Sequence, residues 1–194
     1  MIQYLGQLEL HYHQFNYKLA IINLLRKDRT VSLNIGDKIP EFELFNYDKT
    51  KLSDKDFLGK KTMFVFMPFP YSSVCHKEIC ELRDYQESFL KEDTSTILIT
   101  VGASPTNRSW ANHHNIEFPI LSDFWPHGEV AKKFGCFHDL AGISLRYTFI
   151  TDEENTITEI IKSDEIGVER DFSCLLYTSP SPRDLSSSRM PSSA

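Results

Sequence analysis

Residues 62–90 read TMFVFMPFPYSSVCHKEICELRDYQESFL. Thr62 to Met67 is a continuous apolar run of strand length, which predicts a strand buried on both faces, and Pro68 and Pro70 stop it. From Cys75 onward, Ile79, Leu82, Tyr85, Phe89 and Leu90 recur at helical spacing, while Lys77, Glu81, Asp84 and Glu87 supply a polar face. A central strand therefore ends in a proline loop that delivers a cysteine to the first turn of an amphipathic helix.

The flanking sequence extends this alternation. Glu41–Leu44 reads as a short strand, and Lys51–Leu58 opens with Ser53 as the cap of a helical turn. TILITVG at 96–102 predicts a second buried strand, Pro105–His114 a helix containing Trp110, and Phe118–Leu121 a short strand. Glu129–Phe134 suggests a helix stopped by Gly135, and Tyr147–Thr151 and Thr156–Lys162 two strands about an EEN turn. Strands alternating with helices imply an α/β layer fold.

The 194 residues suit one domain, and 41% apolar, 12% aromatic and 25% charged residues exclude a wholly disordered, collagen-like or disulfide-dense chain. A net charge of −6, and −9 over residues 31–173, gives no general attraction to nucleic acid or anionic membranes, so neither is expected as a partner. No apolar run reaches the length of a spanning helix and no signal-peptide pattern opens the chain, which makes the cytoplasm the expected location. Cysteines at 75, 80, 136 and 174 form neither a secreted scaffold nor a CxxC pair.

Both ends differ from the middle. Residues 1–30 read as an N-terminal extension with a helix around Tyr17–Arg26, or as a mis-assigned start if Val31 is encoded by an initiating GTG. His11 and His13 could share a strand face, but no third ligand lies nearby and no metal is expected there. Residues 174–194 hold seven Ser and three Pro, the composition of a disordered tail. Back-translated, CLLYTSPSPRD resembles a transposase-type sequencing adapter, so this tail is expected to be non-native and Cys174 to carry no functional weight. The working domain is then 31–173.

The helix-start cysteine decides the chemistry. A free thiol with a pKa of ~8.5 is mostly protonated at pH 7, and unpaired backbone N–H groups at a helix start stabilise the anion. Taken alone, such a cysteine is more often packing than nucleophile. The neighbouring residues change that reading: Pro68-x-x-x-Ser72-x-x-Cys75 resembles the Pro-x-x-x-Thr/Ser-x-x-Cys signature of the peroxiredoxins. NIGDKIPEFEL, VGASPTNRSWA, FPILSDFWPHGEVAKKFG and AGISLRYTFITD resemble the AhpE-type branch of that family, and together the likeness covers residues 33–172.

The resemblance implies a thioredoxin-like fold, a central mixed sheet flanked by helices, and reduction of hydrogen peroxide, organic hydroperoxides or peroxynitrite without metal or other cofactor. By position, Cys75 would be the peroxidatic nucleophile and Ser72 the hydroxyl bonded to thiolate and peroxide. Pro68 would be the ring shielding the site, and Arg146 the fork that steadies thiolate and substrate. Glu78 matches a glutamate that would orient Arg146, with a solvated helix residue as the alternative. Cys80 lies at the C-x4-C spacing of the bacterioferritin-comigratory proteins and is either a resolving cysteine or a non-resolving one served by external thiols. About 8.6 Å separates Cα atoms five apart on a helix, beyond the ~7 Å that a disulfide spans, so resolution requires the first turn to unwind.

Cys136 is expected to be packing, His113 and His114 surface residues, and Trp110, Trp125 and His127 outside catalysis. The expected reductant is thioredoxin, a mycoredoxin or glutaredoxin-like protein, or a low-molecular-weight thiol, and a homodimer is implied. Rival readings on the same fold are a thiol-disulfide oxidoreductase, disfavoured by the missing CxxC, and a non-catalytic peroxide sensor or holdase.

Overall fold

The computed structural model describes residues 32–170 apart from 92, 164 and 166. The Tyr17–Arg26 helix, the His11/His13 pair and the tail from Cys174 lie outside the described residues. Nine strands are found among the described residues: β1 Glu43–Asn46, β2 Lys51–Ser53, β3 Lys61–Met67, β4 Thr94–Thr100, β5 Ile120–Ser122, β6 Phe137–His138, β7 Ile143–Ser144, β8 Tyr147–Thr151 and β9 Ile157–Lys162. The α-helices are α1 Ser73–Lys91, α2 Ser104–His114 and α3 Glu129–Lys133.

Seven strands form one mixed sheet in the order β2-β1-β5-β4-β3-β8-β9. The β3-β4 and β4-β5 pairs are parallel, and β1 and β8 run antiparallel to their neighbours β5 and β3. The run TMFVFM is indeed buried on both faces. Met63, Val65 and Met67 join Cys75, Ile79 and Leu82 of α1 and Trp110 of α2 on one side, while Phe64 and Phe66 meet Phe42, Phe134 and Phe149 on the other. That alternation is the two-residue period of a strand applied to an all-apolar segment. Edge-to-face ring contacts fill the second core, including Phe42 on Phe64 and Phe66 on Phe149, at 6.0 and 5.8 Å between centroids.

Several expectations shift. The first strand begins two residues later than expected, and Lys51–Ser53 is a strand paired with it before Asp54–Phe57 forms a 3-10 turn. Ser53 does sit at that turn's start, where its N–H donates to Asp56 Oδ2 at 2.7 Å. Leu90, assigned to the apolar face of α1, is 61% exposed, because Phe89 takes the core position at that level. The small β6-β7 hairpin was not expected; two-residue strands carry no readable period.

Candidate active site

The site forms where β3 ends. Pro68 is buried at the strand's end, the chain turns through Phe69, Pro70 and Tyr71, and α1 begins at Ser73. Tyr71 adopts a left-handed φ of 66°, uncommon for a bulky residue, and its hydroxyl is tied to Ser109 Oγ at 2.8 Å. Gly102 lies under the same loop: a Cβ there would stand 2.6 Å from Pro70 Cδ, so the close approach of the loop to the end of β4 requires glycine.

Ser72 is the N-cap of α1. Its Oγ accepts the Cys75 N–H at 3.3 Å, and its carbonyl accepts the His76 N–H at 2.9 Å. The hydroxyl that the motif supplies therefore also fixes the turn carrying the thiol. Cys75 is fully buried. Arg146, in the segment leading into β8, donates from Nη2 to Cys75 Sγ at 3.2 Å and from Nη1 to Glu78 Oε2. Its Nε is buried with no hydrogen-bond partner among the described residues.

Glu78, one turn after Cys75, is fully buried rather than solvated, and it receives two arginines. Arg170 bonds it through the backbone N–H at 3.0 Å and Nε at 3.1 Å, both to Oε1, and through Nη2 to Oε2 at 3.3 Å. The remaining nitrogen of Arg170 anchors to β8, reaching Tyr147 O at 2.7 Å and Thr148 Oγ1 at 2.9 Å. Burial lowers the pKa of this guanidinium from its ordinary value, and Glu78 opposes the change. Among the described residues both guanidiniums bond Glu78, and Arg146 sets one of them against the Cys75 sulfur.

Arg170 was missed in the sequence. It sits in a VERD stretch with no periodic pattern, 92 positions from the glutamate it holds. Its one legible signal is that an acidic partner for Arg146 would also need a counterion once buried.

The remaining cysteines separate. Cys136 is buried beside the phenylalanine core, where burial and then Asp123 push its thiol well above the ordinary range, as suits a packing residue. Cys80 is half-buried, with Sγ 3.7 Å from His114 Nδ1. His114 corrects the expectation of a surface residue: it is 5% exposed, because Trp110 and His114 share one face of α2 and that face joins the core. His113 is exposed as expected. Trp110 is core, and Trp125 is 82% exposed.

A model of the family described as AhpC/TSA matches residues 35–160. The chain belongs to the AhpC/TSA family. Within that family it is 36% identical over 126 residues to alkyl hydroperoxide reductase E of Mycobacterium tuberculosis, an alignment covering 64% of this chain and 82% of that protein. A peroxiredoxin of Hyperthermus butylicus is 32% identical over 136 residues, covering 66% of this chain and 57% of that one. Among solved structures, Enterococcus faecalis AhpC superposes with a TM-score of 0.67 at 25% identity, covering 74% of this chain and 88% of that one. The Mycobacterium tuberculosis peroxidoxin BcpB gives 0.63 at 26%, covering 69% and 88%. These likenesses make the chain a peroxiredoxin of the AhpE-type branch and its sheet a thioredoxin-like one, as the motif residues imply.

Proposed function

We propose that this AhpC/TSA-family chain is a thiol-dependent peroxidase whose working group is Cys75, held as thiolate by Arg146. The observation that carries the reading is the 3.2 Å contact from Arg146 Nη2 to the Cys75 sulfur, made by a guanidinium that Glu78 holds from behind. In the reaction the thiolate attacks one peroxide oxygen, an S–O bond forms as the O–O bond breaks, and the departing oxygen takes a proton to leave as water or alcohol. Cys75 is left as sulfenic acid. The unpartnered Arg146 Nε–H supplies a donor for the negative charge developing on oxygen. Pro68 and the Phe69–Tyr71 loop limit water at the site, and the buried thiol is reached when these covering groups move.

A thiol reductant then attacks the sulfenic sulfur, expels water and returns Cys75 through a disulfide. That first thiol is either Cys80 or an external one, and the Cys80 route makes a bridge within α1. Since α1 is helical from Ser73 through Cys80, the bridge requires that turn to unwind, as geometry demands for cysteines five apart. A dimeric, cytoplasmic protein reduced by thioredoxin, a glutaredoxin-like protein or a small thiol completes the proposal, with residues 31–173 as the working domain. Among the described residues no helix is long and apolar enough to cross a membrane.

Stopped-flow fluorescence of reduced protein mixed with hydrogen peroxide tests the reading, followed by intact mass. A fast signal lost in Cys75→Ser supports it, and a two-hydrogen mass loss abolished by Cys80→Ser makes Cys80 the resolver. A folded protein reacting no faster than a free thiol overturns it.

A further inference from the structure

We propose that His76, Cys80 and His114 form a site for a thiophilic divalent cation, Zn²⁺ in the first place, on the face where α1 meets the end of α2. Each residue offers one donor atom, and the three atoms lie within 4.8 Å of one another. His76 and Cys80 are four apart on α1 and so share a helix face, the spacing by which one helix commonly presents two ligands to one metal. His114, the last residue of α2, closes the triangle from the opposite side.

The geometry is close to what a tetrahedral centre needs. With metal–nitrogen and metal–sulfur bonds of about 2.0 and 2.3 Å, an imidazole nitrogen and a thiolate in one coordination shell stand about 3.5 Å apart. His114 Nδ1 and Cys80 Sγ stand at 3.7 Å, and the His76 and His114 rings meet edge to face at 4.5 Å between centroids. The exposed His76 can rotate to shorten its own separations, and its solvent side leaves a fourth position for water.

A second observation points the same way. His114 is 5% exposed, yet its Nδ1 meets a thiol, a poor partner for a buried imidazole. Its backbone is held in place by Arg83, whose Nη1 donates to the His114 carbonyl at 3.1 Å. One thiolate and two imidazoles favour Zn²⁺ over Mg²⁺ or Ca²⁺. Binding displaces the Cys80 thiol proton to solvent, and because both use the same sulfur, a bound cation and a Cys75–Cys80 disulfide exclude one another. The site itself stands on these three residues and does not depend on the peroxidase reading.

The test is titration of reduced protein with Co²⁺, read by thiolate-to-cobalt charge-transfer absorption, and with Zn²⁺, read by calorimetry. One ion per chain with a charge-transfer band is expected in the native protein and in Cys75→Ser. The band should vanish in Cys80→Ser, and affinity should fall at least about tenfold in His76→Gln and in His114→Gln. His76 is exposed, so His76→Gln remains a fair test should the His114 variant fold poorly. A band that survives Cys80→Ser, a band lost with Cys75, or Zn²⁺ affinity unchanged by His76→Gln would overturn the site.

Discussion

Cys75 and Cys136 are both fully buried, and their surroundings divide them. Cys136 lies among aromatic rings, where burial and then Asp123 oppose a thiolate and Arg170 offsets them only in part. Cys75 lies equally far from water but meets a guanidinium at 3.2 Å, one that Glu78 holds from behind. Burial strengthens whatever charge surrounds a group, because the low dielectric that penalises a lone anion also magnifies its attraction to a fixed cation. The same depth thus sets Cys136 against ionisation and places Cys75 beside a fixed cation.

The largest contrast should appear in peptide mapping after one equivalent of hydrogen peroxide. Oxygen, or a disulfide formed after its transfer, is expected at Cys75 and at least about a hundredfold less oxidation at Cys136, given how reaction follows thiolate character. Comparable oxidation at both positions in native protein would break the comparison at its root. Next in size is Arg146→Gln, which removes the cation and keeps a donor. Oxidation of Cys75 should slow by about 10²–10³-fold in stopped flow, the scale for loss of one preorganised donor, while Cys136 stays unreactive. A change under about threefold would mean the helix start alone sustains the thiolate.

Much of this was legible in the chain. The apolar run at 62–67 announces a strand buried on both faces, and Pro68, Ser72, Cys75 and Arg146 are placed by motif and position. What the motif could not say is that Ser72 caps the helix, or that Glu78 is buried between two arginines. Those facts depend on where residues 146 and 170 arrive in space, and a contact spanning 92 positions leaves no local period. His114 escaped for a related reason. Two adjacent histidines look alike in sequence, and which one faces the core depends on the helix phase set by Trp110.

Glu78→Gln asks whether that hidden carboxylate supports the site. It leaves Arg146 and Arg170 buried with no carboxylate between them, and breaking a buried ion pair in this way costs about 3 kcal/mol or more. Urea unfolding should show that loss together with slower Cys75 oxidation, since Arg146 is no longer held from behind. Lost stability with an unchanged oxidation rate would confine Glu78 to the fold.

The smallest effect concerns the other side of the sheet, where Asp123 is buried and makes no salt bridge among the described residues. Its carboxylate accepts the N–H groups of Val130 at 3.1 Å and Ala131 at 2.9 Å at the start of α3. Burial nevertheless pushes its pKa up to about 6 from 3.8, with the helix N–H bonds opposing and Glu129 adding to the rise. The native state then takes up this proton at higher pH than the unfolded chain does. Between about pH 4 and pH 6 the folded form binds more protons, so the Asp123 contribution to stability falls as pH rises and is lost above pH 6. The shift corresponds to at most about 3 kcal/mol. Asp123→Asn does not titrate, so the stability of the native protein relative to this variant should be greatest near pH 4 and shrink toward pH 7. A difference constant across that range would mean that two backbone N–H groups hold a buried carboxylate as effectively as water does, and the contrast between Cys75 and Cys136 would then owe less to Arg146 than to the position of Cys75 at a helix start.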